Sequence, residues 1–435
     1  MTRRTVSIVL LFLGVMAIAV FGVAQDAPTE APAGFETFTL VENPGSQSHS
    51  NGIPEPVAGD TYAIDQTIYE QENDPTTGLG PLYNARACAD CHQNPVSGGS
   101  SQFTELRVGH LDENGVFQNP MITIADSPVC VPGQPTCITG RSIVNDRAVV
   151  AEAQEHIPAT ENIRALRAAL NTLGDGFVEA IDDATLKGFA ASQKALPGGH
   201  IHGEAIEVPI FEASGQTRVG RFGWKDQHGS LLSFAADAYL NEMGITNRLR
   251  PHDTTTIGKS TADPEDTPDN LNLAAIDHFA QFIRGTKVPP RDPALVETPD
   301  AVAGQALFEQ IGCNTCHVET IVTAPAGTTI NGGAFTVPDA LGNKIIHPFS
   351  DYLLHDIGTG DGIVQTPAFP ETAPKLRTAP LWGLRMRPRF MHDLESLSLA
   401  DAIKRHHGEA EGVQHGFGQL TPQEKQQVLT FLHSL

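Results

Sequence analysis

Two five-residue strings constrain this 435-residue chain more than anything else in it: Cys88-Ala-Asp-Cys91-His92 and Cys313-Asn-Thr-Cys316-His317. In each, two thiols stand about one helical turn apart and a histidine follows directly. That spacing suits addition of both thiols across the two vinyl groups of a haem, with the adjacent imidazole reaching the iron from one side. A zinc or thioredoxin-like reading of C-x-x-C leaves the following histidine unexplained twice. The chain therefore reads as carrying two covalently bound haem c groups. Cys88, Cys91, Cys313 and Cys316 are the attachment points, and His92 and His317 are iron ligands. The other two cysteines, Cys130 and Cys137, close a short Pro/Gly-rich loop and read as a structural disulfide.

The beginning of the chain agrees with chemistry done outside the cytoplasm. Arg3 and Arg4 precede an unbroken apolar and small-residue run, Val6 to Val23, and Gly22-Val23-Ala24 offers small residues before a cut. This predicts a signal peptide over 1–24, a flexible acidic, Pro-rich leader over 25–35, and a periplasmic or otherwise exported folded part with no membrane span after cleavage. An uncleaved anchor is the alternative, and 18 residues is at the lower limit for one. Cleavage removes two arginines and no acid, taking the net charge from -23 to -25. Such a surface repels phosphate backbones, which excludes nucleic acid, and it suits a basic protein partner.

Length suggests two domains. The segment Gly304 to Gly312 has helical periodicity and stops at a glycine just before Cys313. At the far end, Thr421-Pro422-Gln423-Glu424 announces a capped helix. A helix before the signature and one at the chain end are what a compact cytochrome unit needs, so a C-terminal cytochrome c domain is expected over 295–435. The Pro-rich stretch 288–293 is the linker. The N-terminal haem domain then covers 36–287, more than one haem requires. The expected fold is mainly α: two c-type cytochrome domains with long loops, the first enlarged by insertions. The 41 glycines and 31 prolines predict long connections and modest regular structure.

The second axial position of each iron separates electron transfer from chemistry. From Ser398 a capped helix places Leu399, Ala402, Ile403 and His406 on one apolar face, with His407 turned about 100° away. A histidine on such a face is usually a satisfied core residue, but here a haem of the same domain needs a partner. His406 is therefore the expected ligand, with Met386 and Met391 as competitors. The first haem has no obvious second ligand; His110 is the nearest one in sequence, and an open position would suit peroxide. A helix is expected from Ser230 to Met243, ended by Gly244. Glu242 at its C-terminal end reads by itself as a solvated acid, and Trp224 by itself as core.

These residues acquire a context. Gly78-Leu-Gly-Pro-Leu-Tyr-Asn-Ala-Arg-Ala-Cys88, Gly220-Arg-Phe-Gly-Trp224-Lys225, Asn241-Glu-Met-Gly-Ile-Thr-Asn247, Leu353-Leu-His-Asp356, Arg377-Thr-Ala-Pro-Leu-Trp382-Gly383, Phe390-Met-His-Asp393 and His406-His-Gly-Glu-Ala410 are spread over both halves. Through them the mature chain resembles the bacterial di-haem c-type oxidoreductases, which are similar to the di-haem cytochrome c peroxidases. The resemblance implies Trp224 as an electron relay, Glu242 as the residue acting on peroxide at the N-terminal haem, and His406 as ligand of the electron-transfer haem. It also implies hydrogen peroxide as substrate, an electron-donor protein such as a small cytochrome or cupredoxin, and a calcium ion between domains near the Thr378 backbone. Two departures stand against it. The Asn241-Glu242-Met243 segment is two residues shorter than in the peroxidases and lacks their preceding Gln, and the His392-Asp393-Leu394 turn lacks their Gly. A non-catalytic di-haem electron-transfer protein, and a di-haem oxidase of a protein or organic substrate, are the rival readings.

Overall fold

In a computed structural model the described residues are 27–35, 61–124, 127, 129–134, 136–196, 199–259 and 261–435. The expected signal peptide lies outside them, and no helix among them is long and apolar enough to cross a membrane. Of these residues 29% are helical and 16% are in strands or bridges. That overturns the expected mainly α chain made of two cytochrome-like domains. The reason lies chiefly between the first signature and residue 170, where the backbone satisfies its hydrogen bonds in a sheet. The strand Thr104–Leu111 pairs antiparallel with Ile163–Ala168 from Thr104↔Ala168 to Gly109↔Ile163, and also with Ile143–Val144 and Phe117–Gln118. Polarity does not mark the buried face of these strands: Arg107 and Arg167 are buried, whereas Leu166 is exposed. Beside this sheet the Cys130–Cys137 disulfide is formed. Most other ladders are two or three residues long and tie loops together, the economical solution for a chain rich in glycine and proline.

The described residues hold nine α-helices: α1 (Tyr62–Glu70), α2 (Asp175–Glu179), α3 (Asp183–Lys194), α4 (Leu231–Met243), α5 (Ala275–Arg284), α6 (Pro299–Gln310), α7 (Leu399–Lys404), α8 (Glu411–Gln419) and α9 (Pro422–His433). Their ends follow local chemistry. The Ser230 hydroxyl accepts from Ser233 N–H to start α4, and Gly244, at φ 69°, ends it. Thr421 and Glu424 form the capping box of α9. Gly312, at φ 93°, turns the chain out of α6 into Cys313. α6 and α9 touch so closely that a Cβ on Gly304 would lie 2.0 Å from the Gln427 carbonyl oxygen.

Two apolar clusters organise the interior. One joins Phe177, Phe222, Tyr239 and Phe282 to Phe335, Ile346, Tyr352 and Leu353, which follow the second signature. The other packs Phe308, Phe349, Leu399, Phe417 and Phe431 around α6, α7 and α9. The first has a polar centre: the buried Glu179 carboxylate accepts from Arg284 at 2.6 and 3.0 Å, from Asn331 Nδ2 at 2.9 Å and from Leu231 N–H at 2.9 Å. Buried charges persist only when paired and hydrogen-bonded in this way. The segment expected as a flexible leader instead contributes Thr29–Glu30, a strand parallel to Lys344–Ile346.

Candidate haem sites

At the second signature, α6 and Gly312 deliver the turn Cys313–Thr315, and His317 N–H donates to the Cys313 carbonyl at 3.0 Å. His317 Nδ1 lies 2.9 Å from the Phe349 carbonyl oxygen. It must therefore donate there, leaving Nε2 as the free nitrogen with a lone pair. Burial, opposed by that carbonyl, lowers the His317 pKa to about 4, so the ring is neutral and ready to ligate. His406 sits just past the end of α7 rather than on its face, with its N–H on the Ile403 carbonyl. Its Nδ1 lies 2.8 Å from the Ala402 carbonyl oxygen, and burial lowers its pKa too. Both imidazoles thus present Nε2. They line one cavity of about 190 Å³ together with Cys313, Cys316, Phe308 and Leu384. No carboxylate is among its lining residues. Two thiols, two neutral imidazoles and apolar walls are a donor set that fits a haem c. Met391 also lines this cavity and Met386 does not. His407 lines a neighbouring cleft with Arg164, Asp361, Asp393 and Arg405.

His355, in the Leu353-Leu-His-Asp356 stretch, has a role the sequence did not reveal. Its Nε2 lies 2.9 Å from Asp351 and its Nδ1 2.8 Å from Glu409, and Cys316 Sγ is 3.8 Å away. Burial disfavours the imidazolium, but Asp351 and Glu409 outweigh it and push the pKa well above the ordinary range. Glu409 also accepts from the Asp356 and His202 N–H groups. The turn that follows His406 is thereby stapled to residues 355–357, and His407 N–H completes the staple on the Ile357 carbonyl. Trp224 borders the same cavity. It is buried, its Nε1–H donates to Ala168 O at 2.8 Å, and its ring meets His392 edge-on with centroids 6.0 Å apart.

The first signature has different company. The Asp90 carboxylate accepts from Arg86 and Ala87 N–H at 2.8 and 3.1 Å, which caps the turn Cys88–Asp90. Burial lowers the His92 pKa. The end of α4 packs directly before the signature, where Asn84 N–H donates to the Glu242 carbonyl at 2.7 Å and Asn84 Nδ2 to the Glu242 carboxylate at 2.9 Å. Burial and the Glu242 carboxylate push the Cys91 thiol up to about 12, so Glu242 is felt at the attachment point. Glu242 has a partner that sequence reading missed, Glu105, at the start of the long strand. Burial and then the Glu105 charge raise the Glu242 pKa well above the carboxylate range. Burial also disfavours charge on Glu105, but Arg107 at 2.5 Å overrides it and holds Glu105 below that range. The two carboxyls thus keep one proton between them. Nothing but their convergence in space pairs residues 105 and 242. His110 is engaged elsewhere: its Nδ1 lies 2.7 Å from Glu161, and five strand residues, about 17 Å, separate it from Glu105.

At Thr378, the residue expected near calcium, the carbonyl accepts the Ser350 hydroxyl at 2.6 Å and the N–H donates to Leu353. A cluster of acids elsewhere, Asp253, Asp263 and Glu265, surrounds the Lys259 ammonium, which pairs with all three.

A family model described as "Di-haem oxidoreductase, putative peroxidase" matches residues 159–435. Two solved structures are similar. One is hydrazine synthase of Kuenenia stuttgartiensis pressurized with xenon, at 14% identity and TM-score 0.39, covering 96% of this chain and 99% of that one. The other is a MauG-like protein associated with microbial copper homeostasis, at 15% identity and TM-score 0.29, covering 59% and 89%. No curated protein matches the chain.

Proposed function

Since this chain belongs to the di-haem oxidoreductase family, we propose that it is an exported c-type enzyme that reduces hydrogen peroxide to water with electrons from a donor protein. The observation that carries this reading is the contrast between a site with two free Nε2 atoms facing one cavity and a site bordered by a carboxyl pair holding one proton. When bound, the haems supply the iron that takes peroxide and the store of electrons that reduces it. His317 and His406 would hold the electron-transfer haem through their free Nε2 atoms. Trp224, fixed on the Ala168 carbonyl, bridges towards the first site. Glu242 moves a proton from the near to the far peroxide oxygen, and Glu105 makes this possible, because a pair with one proton can give at one oxygen and accept at another. The balance is one peroxide, two electrons and two protons in, two waters out. Covalent attachment rests on the two signatures, and the exported location on residues 1–24 together with the Cys130–Cys137 disulfide. The Thr378 carbonyl accepts the Ser350 hydroxyl, and calcium has no part in this proposal.

Electron paramagnetic resonance of the oxidised and half-reduced protein tests the reading. Two haems are expected, one low-spin with two histidines and one high-spin in the half-reduced state, together with turnover of peroxide by a reduced cytochrome. Low-spin spectra in every redox state and no peroxide binding would overturn it in favour of a pure electron-transfer protein.

A further inference from the structure

We propose that Arg387 is the counter-ion of a propionate on the haem held by the second signature. The proposal rests on that signature holding a haem. The cavity around His317 and His406 is lined by two arginines, Arg377 and Arg387, and by no aspartate or glutamate. Arg377 is placed beside an acid: it donates to the Arg221 carbonyl, and its Nε, though without a hydrogen-bond partner, lies 3.8 Å from Asp226. Arg387 is not. Its Nε is buried without a hydrogen-bond partner, and its Nη2 contact is a long 3.5 Å reach to the Met391 carbonyl. Burial lowers its pKa to about 10, with no carboxylate acting against that.

A guanidinium placed this way fits a ligand that brings its own anion. Five fork-shaped donors favour a carboxylate over any neutral acceptor. A haem has an apolar body matching these walls and carries two carboxylates at one edge, so one group satisfies both the walls and the arginine. The backbone holds Arg387 in place, since its N–H donates to the Leu384 carbonyl, and the neighbouring Met386 carbonyl accepts from Asn94, two residues after His92.

The test uses the haem-loaded full chain. Mass analysis first establishes that Cys313 and Cys316 carry a haem; an empty signature overturns the premise and the proposal together. With haem present, Arg387→Gln is expected to shift the reduced-to-oxidised ratio of that haem about tenfold towards oxidised at fixed poise, 59 mV for one electron. Its potential should also begin to slope with pH between about 5 and 7, where a propionate released from its partner titrates. A variant with the wild-type potential and pH profile overturns the proposal while leaving the family reading intact. If Arg387→Gln does not fold, a crystal structure of the loaded wild type decides. A propionate oxygen within about 3.2 Å of the guanidinium supports the proposal, and its absence overturns it.

Discussion

The two signatures are the same five-residue device, yet their surroundings differ in kind. Around Cys313–His317 the walls are apolar, and two imidazoles are each pinned by Nδ1 to a backbone carbonyl, of Phe349 and of Ala402. Around Cys88–His92 the neighbours are a carboxylate, a carboxylic acid and an arginine, brought in by α4 and the long strand. The signature by itself does not distinguish the two sites. The difference comes from side chains far away in sequence, His406 at one and Glu105 with Glu242 at the other.

That contrast can be broken one site at a time. The largest expected effect is at the closed site: His406→Ala should convert the second haem entirely from six- to five-coordinate, visible as a new high-spin signal, while the first keeps its spectrum. A low-spin spectrum that survives would hand the position to Met391. Next, Glu242→Gln should retain both haems and lose about 10²–10⁴-fold in peroxide turnover; unchanged turnover removes Glu242 from the mechanism. Glu105→Gln sharpens the same point, since removing the neighbouring charge should lower the Glu242 pKa and move the acid limb of the pH–rate profile to lower pH. A smaller effect concerns the scaffold. Gly304→Ala places a methyl group on the Gln427 carbonyl and should cost about 1–3 kcal/mol in urea unfolding, without altering the spectrum of the first haem.

The subtlest test concerns the staple behind His406. The His355 pKa is raised in the fold, so its stabilisation is complete below about pH 6.5 and is lost as pH rises through the folded value. Burial acts against the Glu409 charge, but His355 and backbone N–H groups hold its pKa down at about 2, so its stabilisation is complete above about pH 4.5 and is lost as pH falls towards 2. The melting-temperature gap between wild type and Glu409→Gln should therefore be widest between about pH 4.5 and 6.5. A gap that does not change with pH would mean that the staple is not ionic.

The parts legible in the sequence were those with local chemistry. Ser230, Gly244, Gly312 and the Thr421–Glu424 box set helix ends within their own turns, so they could be read where they stand. His406 was singled out by its spacing from Ser398, although the helix ends at Lys404, two residues before it. The sheet built on Thr104–Leu111 went unread because its strands carry no clean alternation: Arg107 and Arg167 are buried and Leu166 is exposed. Glu105, His355 and Arg387 could not be read at all. Each owes its character to a partner, or the lack of one, that only the folded chain defines: Glu242, Glu409 and a cavity without carboxylates.

The strand Thr29–Glu30 pairs with Lys344–Ile346, more than 300 residues later. A chain that emerges N-terminus first presents this strand long before its partner exists. The first signature, at residue 88, is likewise complete while Glu242, Arg377 and the second cavity are still to come. The Cys88 and Cys91 thiols thus exist on a still open chain, whereas the parallel ladder closes only after the second signature has passed. Long-range pairings of this kind form late, because loop closure must precede them. Thr29–Glu30 thus ties the start of the described chain to residues that exist only once more than 300 others are in place.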